Sequence, residues 1–62
     1  MTDDQERWAE AVSVHDLHGD RAFAHVVERI VASARAGDLA ELDRWREIGE
    51  CVEQLRRPGS LQ

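Results

Sequence analysis

The same two residues, glycine followed by aspartate, occur twice in this 62-residue chain, as Gly19-Asp20 and Gly37-Asp38. Each pair separates stretches in which apolar residues recur with the period of an α-helix. Glycine can adopt the left-handed backbone that ends a helix, and the aspartate side chain can accept from the free N–H groups that begin the next one. The two pairs therefore predict three short helices with almost no loop between them, which leaves few places for a catalytic site.

The predicted helices span residues 3–18, 20–36 and 38–57. Thr2 and Gln5 have the spacing of a capping box at the start of the first helix, and Asp38 and Glu41 have the same spacing at the start of the third. A proline and a glycine follow the third helix, and both are typical of a helix end. Residues 58–62 are therefore expected to form a flexible tail.

Each predicted helix has one apolar stripe, which indicates an all-α fold: a compact three-helix bundle with short Gly-Asp turns, in which residues 1–57 form one domain. The second helix is the most apolar and is predicted to form the centre of the core, through Phe23, Val26, Val27, Ile30, Val31 and Ala34. Gly49 falls on the stripe of the third helix, where it costs about 1 kcal/mol relative to alanine. This position predicts the close approach of another helix.

A domain of this size buries only about 60% of the surface of its unfolded chain. We therefore expect apolar surface to remain for a partner, most simply a second copy in a homodimer that forms through the first or third helix. The interface candidates are Trp8, Val12, Val14, Trp45 and Val52. Tryptophan is enriched in interfaces, but both tryptophans lie in the middle of their stripes, so packing within the core is the alternative for them.

The net charge is −5, with thirteen acidic residues and eight arginines. This charge is a poor match for a phosphate backbone or an anionic lipid surface, which disfavours nucleic-acid and membrane binding. A helix-turn-helix module that inserts its third helix into DNA stays an alternative, although that helix is rich in acids. With one cysteine, no signal peptide and no apolar run long enough to cross a membrane, the expected location is the cytoplasm.

His15 and His18 are the only pair of residues whose spacing suggests chemistry, because residues three apart lie on one face of a helix and could share a metal ion. Asp20 follows as a weak third ligand, whereas His25 is expected to point away from the core. Packing of His15 at the core edge and of His18 at the helix end is the simpler interpretation, and a pH-sensitive interface is a further alternative. Cys51 is expected to be a small, partly buried apolar side chain.

No phosphate-binding glycine loop and no nucleophile elbow occurs in the sequence, so we expect neither an enzyme nor a bound cofactor. The leading hypothesis is a non-enzymatic helical module that binds protein, has an interaction or regulatory role, and associates with itself. A metal-binding protein that uses His15 and His18 is the alternative, and a nucleic-acid-associated module is the third hypothesis.

The chain resembles a small family of uncharacterised alphaproteobacterial proteins of the sphingomonad type, a domain of unknown function. The resemblance is carried by segments spread over nearly the whole chain: Trp8-Ala9-Glu10-Ala11, His18-Gly19-Asp20, Glu28-Arg29-Ile30, Ala36-Gly37-Asp38 and Arg44-Trp45-Arg46-Glu47-Ile48. It implies a bacterial origin. It implies no activity, cofactor, partner or functional residue.

Overall fold

A computed structural model describes residues 2–56, and this part of the chain is helical almost throughout. The elements are α1 (Asp3–His18), a 3₁₀ turn (Gly19–Arg21), α2 (Ala22–Ala36) and α3 (Leu39–Arg56). No strand occurs within residues 2–56, so the predicted all-α fold with three helices is confirmed. The expected tail at residues 58–62 lies outside the described residues.

The capping box predicted at the start of α1 is confirmed. The Thr2 hydroxyl oxygen accepts from the backbone N–H of Gln5 at 3.1 Å, and the Gln5 side-chain oxygen accepts from the backbone N–H of Thr2 at 3.0 Å. Two N–H groups that have no partner inside the helix are thereby satisfied. Three acidic residues in the first turn (Asp3, Asp4 and Glu6) add charge that the positive end of the helix dipole favours.

The joint between α2 and α3 behaves as predicted from its glycine–aspartate pair. Gly37 has a left-handed backbone with φ of 71°, and its N–H and that of Asp38 donate to the carbonyls of Ala34 and Ser33 at 3.1 and 3.0 Å. This is the Schellman arrangement, which ends a helix by satisfying its last carbonyls. The Asp38 carboxylate then accepts from the N–H of Glu41 at 3.1 Å and so begins α3.

Only half of the predicted capping box forms at Asp38. The Asp38 N–H already donates to Ser33, so it does not need the Glu41 side chain as an acceptor. The Glu41 carboxylate instead accepts from the Arg44 guanidinium at 3.0 Å and from the Trp45 indole N–H at 3.1 Å. Asp38 therefore takes part both in the end of α2 and in the start of α3. The Glu41 carboxylate is free of the cap and orients the side chains of Arg44 and Trp45.

The joint between α1 and α2 differs from the prediction. Gly19 has φ of 57° and ψ of −125°, which leads the chain into a 3₁₀ turn rather than directly into a helix. The Ala22 N–H donates to the carbonyl of Gly19, and no side chain caps the start of α2. The second helix was predicted to begin at Asp20, and α2 begins two residues later, at Ala22. The Gly19 carbonyl accepts from the first N–H of α2, so the Asp20 side chain is not needed as a cap.

The core is centred on α3 and not, as predicted, on the second helix. Both α1 and α2 pack mainly on α3 and contact each other less. The buried apolar side chains are Ala11, Ala22, Val26, Trp45, Ile48 and Val52, of which three belong to α3. Gly49 is buried among them, and a Cβ atom at this position would lie 3.1 Å from Val26 Cγ1. The predicted close approach of another helix at Gly49 is confirmed.

None of the helices within residues 2–56 combines the length and the apolar character that a membrane span requires.

Candidate functional site

Only part of the apolar face of α2 is covered by α1 and α3. At 3.6 residues per turn, its apolar positions run from Ala22 around to Ala24 over an arc of about 200°, interrupted only by Ser33. Ala22, Val26 and Ser33 are buried at one side of this arc. The remaining residues of the arc are half-buried or exposed and form what we call the α2 strip: Phe23, Ala24, Val27, Ile30, Val31 and Ala34.

Two valines are the exposed large apolar side chains of the α2 strip. Val27 and Val31 are each 42% exposed, and they lie one turn apart on the same face of α2. Phe23 and Ile30 pack partly against the core, so the strip is anchored along one edge. Single exposed apolar residues are ordinary on a protein surface, whereas a contiguous apolar strip along one helix is typical of a surface that binds another protein.

A shallow groove of about 220 Å³ runs along the edge of the α2 strip, between α2 and α3. Its α2 side is apolar, and its α3 side is lined by Arg46, Gly49, Glu50 and Glu53. Gly49 belongs to the lining of the groove at the point where α3 approaches Val26 closely. An apolar floor beside charges of both signs suits the side of an amphipathic helix, which would place apolar side chains in the groove and polar ones at its rim.

Unlike the apolar α2 strip, the contact between α1 and α3 includes a group of charged side chains. Arg7 Nε lies 2.7 Å from Glu47, and Arg7 Nη1 lies 2.8 Å from Glu10. The second Glu10 oxygen lies 2.7 Å from Arg44 Nη2, and Arg44 Nη1 lies 3.0 Å from Glu41. We call these five residues the charged network: Arg7, Glu10, Glu41, Arg44 and Glu47.

The hydrogen bonds of the charged network shift the pKa of Arg7, Glu10 and Arg44. The hydrogen bond from Arg44 is the largest cause that holds the pKa of Glu10 below its ordinary value of 4.5. The same bond raises the pKa of Arg44, and the bond to Glu47 raises the pKa of Arg7. These groups are therefore charged at neutral pH, and they hold α1 against α3.

Beside the charged network, a broader hollow of about 620 Å³ is lined by residues of α1 and α3: Asp3, Asp4, Arg7, Trp8, Glu47, Glu50, Cys51 and Gln54. Cys51 is half-buried there, as predicted. Burial raises the pKa of its thiol, and the nearby carboxylate of Glu50 adds to this effect. The thiolate form, which is the nucleophile, is therefore scarcer at neutral pH than for an exposed cysteine.

The structure does not bring His15 and His18 into one hollow. His15 lies in a hollow of about 320 Å³ with Asp20, whereas His18 lies in a separate one beside His25. The rings of His18 and His25 are stacked with centroids 4.1 Å apart. Within residues 2–56, no group of three or more histidine, cysteine, aspartate or glutamate side chains is placed to hold a metal ion.

The expectation that His25 points away from the core is wrong. His25 is half-buried, and its ring makes a T-shaped contact with that of Trp45, with centroids 5.7 Å apart. The Trp45 ring thus contacts the flank of α2 that carries His25 and Arg29, and the Arg29 guanidinium lies over the ring at 5.7 Å. Sequence periodicity could not indicate this contact because it treats every buried side chain as equally long.

Two of the five predicted interface residues belong to the core of a single chain. Val52 is fully buried and Trp45 is 9% exposed, so neither offers surface to a partner in this fold. Val12 and Val14 are half-buried, and Val14 packs against the core. Trp8 is 41% exposed and stays available. The α2 strip was missed, although the unusual width of the apolar arc on the second helix was a signal for it.

The sequence matches the model of a family of unknown function, DUF6961, over residues 3–59. The chain belongs to this family. Comparison with curated proteins gives no match, and comparison with solved structures gives none either. Because the function of DUF6961 is unknown, membership of the family assigns no activity to the chain.

Proposed function

We propose that the chain is a non-enzymatic protein-interaction module and that its binding surface is the α2 strip. One observation carries the proposal: α2 has about twice the apolar arc that its packing against α1 and α3 uses. Leaving that arc in water forgoes about 25 cal/mol for every Å² of apolar surface that a partner would cover. A helix from another protein could cover it without any rearrangement of the core.

The charges of the chain support a protein partner over the other classes. A net charge of −5 opposes phosphate backbones and anionic lipids. A bacterial, cytoplasmic setting is part of the proposal, and it is supported by the resemblance to alphaproteobacterial proteins and by the single cysteine.

Photo-crosslinking in cells that contain the chain naturally tests the proposal. A photoreactive phenylalanine analogue at Val31 samples the α2 strip, and the same analogue at Ser13, which is exposed on α1, is the control. We expect adducts with protein at position 31 and few or none at position 13. Loss of these adducts when Val27→Asp is added to the same chain would link them to the strip, because a carboxylate at Val27 makes its burial costly.

The proposal is wrong if position 31 gives no adduct with protein, or if positions 31 and 13 give the same adducts in the same yield. Far-ultraviolet circular dichroism of each variant checks that the helices are retained. Val27 and Val31 are exposed positions, so these substitutions leave the core intact.

A further inference from the structure

We infer that the occupant of the α2 strip is the same strip of a second copy of this chain, packed antiparallel about a two-fold axis at Val27. The inference rests on the proposed function, since it names the partner for the same surface. Two observations support it: the spacing of the apolar residues along α2, and the position of two opposite charges beside them.

The spacing along the α2 strip is the same on both sides of Val27. Phe23 lies one turn before Val27 and Val31 lies one turn after it, and the three form a single ridge along α2. In an antiparallel pair, Val27 would meet Val27 of the second copy, and Phe23 would meet its Val31. The small side chains of Ala24 and Ala34 flank this ridge and let two helices approach closely. A surface that is complementary to itself is what a two-fold dimer requires.

The charges beside the strip are arranged in the same symmetric way. Gly49 lies against Val26, and Arg56 lies over the ring of Phe23 at 5.0 Å, so α3 runs antiparallel to α2. With a rise of 1.5 Å per residue, Arg46 and Glu50 then lie about 3 Å on either side of the level of Val27. Both side chains line the groove at the edge of the strip.

A two-fold axis at the level of Val27 places Arg46 of each copy opposite Glu50 of the other. The pair forms twice in the antiparallel dimer. In a parallel dimer the two-fold axis would run along the helices and place the α3 edges on opposite sides of the contact, so neither charge would meet its counterpart. The charge pairs therefore favour the antiparallel arrangement. The charge of −5 on each copy opposes association as a whole, so the attraction must come from the apolar strip, and the two charge pairs fix its direction.

A charge-exchange experiment tests the inference. Sedimentation equilibrium measures the dimer dissociation constant of the full chain, of Arg46→Glu, of Glu50→Arg and of an equal mixture of the two variants. We expect a wild-type dimer and a dissociation constant raised about tenfold in each variant alone, because each homodimer contains two like-charge pairs. The mixture should dimerise within about threefold of the wild type, since both pairs are attractive again in the mixed dimer.

Asp16→Arg, an equal charge change at an exposed position of α1, is the matched control and should move the dissociation constant far less than Glu50→Arg. The inference is overturned if the wild type is a monomer, if the mixture dimerises no better than the separate variants, or if Val27→Asp dimerises as the wild type does. A monomeric wild type that still gives photo-adducts of another mass at position 31 would exclude the second copy and leave the proposed function standing. Absence of both dimer and adducts would exclude both.

Discussion

The α2–α3 hairpin and the attachment of α1 to α3 are held together by different physical interactions. In the hairpin, apolar contact dominates, with Gly49 against Val26, and the joint satisfies backbone groups on both sides through Gly37 and Asp38. By contrast, α1 is held to α3 by the charged network as well as by its few buried apolar side chains, and its joint to α2 carries no side-chain cap.

This difference predicts which part of the molecule responds to solution conditions. Salt screens exposed charges, and acid protonates the carboxylates that accept from arginine, whereas apolar contacts persist under both. We therefore expect α1 to separate from α3 under milder conditions than those that open the hairpin.

The largest effect is expected at Ile48, which is fully buried in the core. Ile48→Ala should lower the free energy of unfolding by about 2–5 kcal/mol because it removes apolar contacts and leaves a cavity. Urea titration followed by circular dichroism measures the change. Where this variant does not fold, Ile48→Val should still lower stability by about 0.5–1.5 kcal/mol, and an unchanged value would contradict the placement of Ile48.

Gly49→Leu tests the hairpin alone. A leucine at this position meets Val26, whose branched side chain is fully buried and has little freedom to move, so we expect a loss of about 1–3 kcal/mol. Gln54→Leu, at an exposed position of the same helix, is the control and should change stability by less than about 0.5 kcal/mol. Equal effects of the two substitutions would show that α2 does not approach α3 at Gly49.

Asp20 and Asp38 each follow the glycine between two helices, so the same substitution at both positions compares the two joints. Asp38→Ala should cost about 1 kcal/mol because the carboxylate caps α3. Asp20→Ala should cost much less, since no side chain caps the start of α2. Thermal unfolding of both variants measures the difference. A larger loss for Asp20→Ala would reverse the assignment of the two joints.

The smallest effect is expected for Glu10→Gln, which weakens the charged network while keeping the shape of the side chain. We expect a loss of at most about 1 kcal/mol at neutral pH and low salt, and a smaller one in concentrated salt. Because the folded-state pKa of Glu10 lies below its ordinary value of 4.5, its contribution is present at neutral pH and disappears as the pH falls through that lower pKa. Stability curves of both proteins should therefore converge in acid, and a constant gap would contradict this origin.

Sequence patterns indicated the three helices correctly, because apolar periodicity and end-capping chemistry are local properties. The Thr2–Gln5 capping box and the close approach at Gly49 are both examples. The same patterns failed at Asp20, where the pair Gly19-Asp20 takes a different backbone from Gly37-Asp38. Identical residue pairs gave different joints because the packing of the flanking helices, and not the pair itself, decides which backbone acceptors are within reach.

The candidate site was harder to predict because it depends on which helix occupies the centre. The sequence ranks the second helix as the most apolar, and from this we expected it to be the most buried. In the structure α3 is central, and the excess apolar surface of α2 faces outward. Periodicity gives the width of an apolar arc, but only the packing of all three helices shows how much of that arc is covered.

The positions of the two tryptophans have a practical consequence. The indole of Trp45 is enclosed in the hairpin and donates to Glu41, whereas that of Trp8 is partly in water on α1. Their emission should therefore differ in wavelength and in quenching by soluble iodide. Trp8→Phe leaves the emission of Trp45 in the hairpin, and the difference between the wild type and this variant gives the emission of Trp8 on α1. Fluorescence can therefore follow the separation of α1 and the unfolding of the hairpin as two events in an otherwise unlabelled protein.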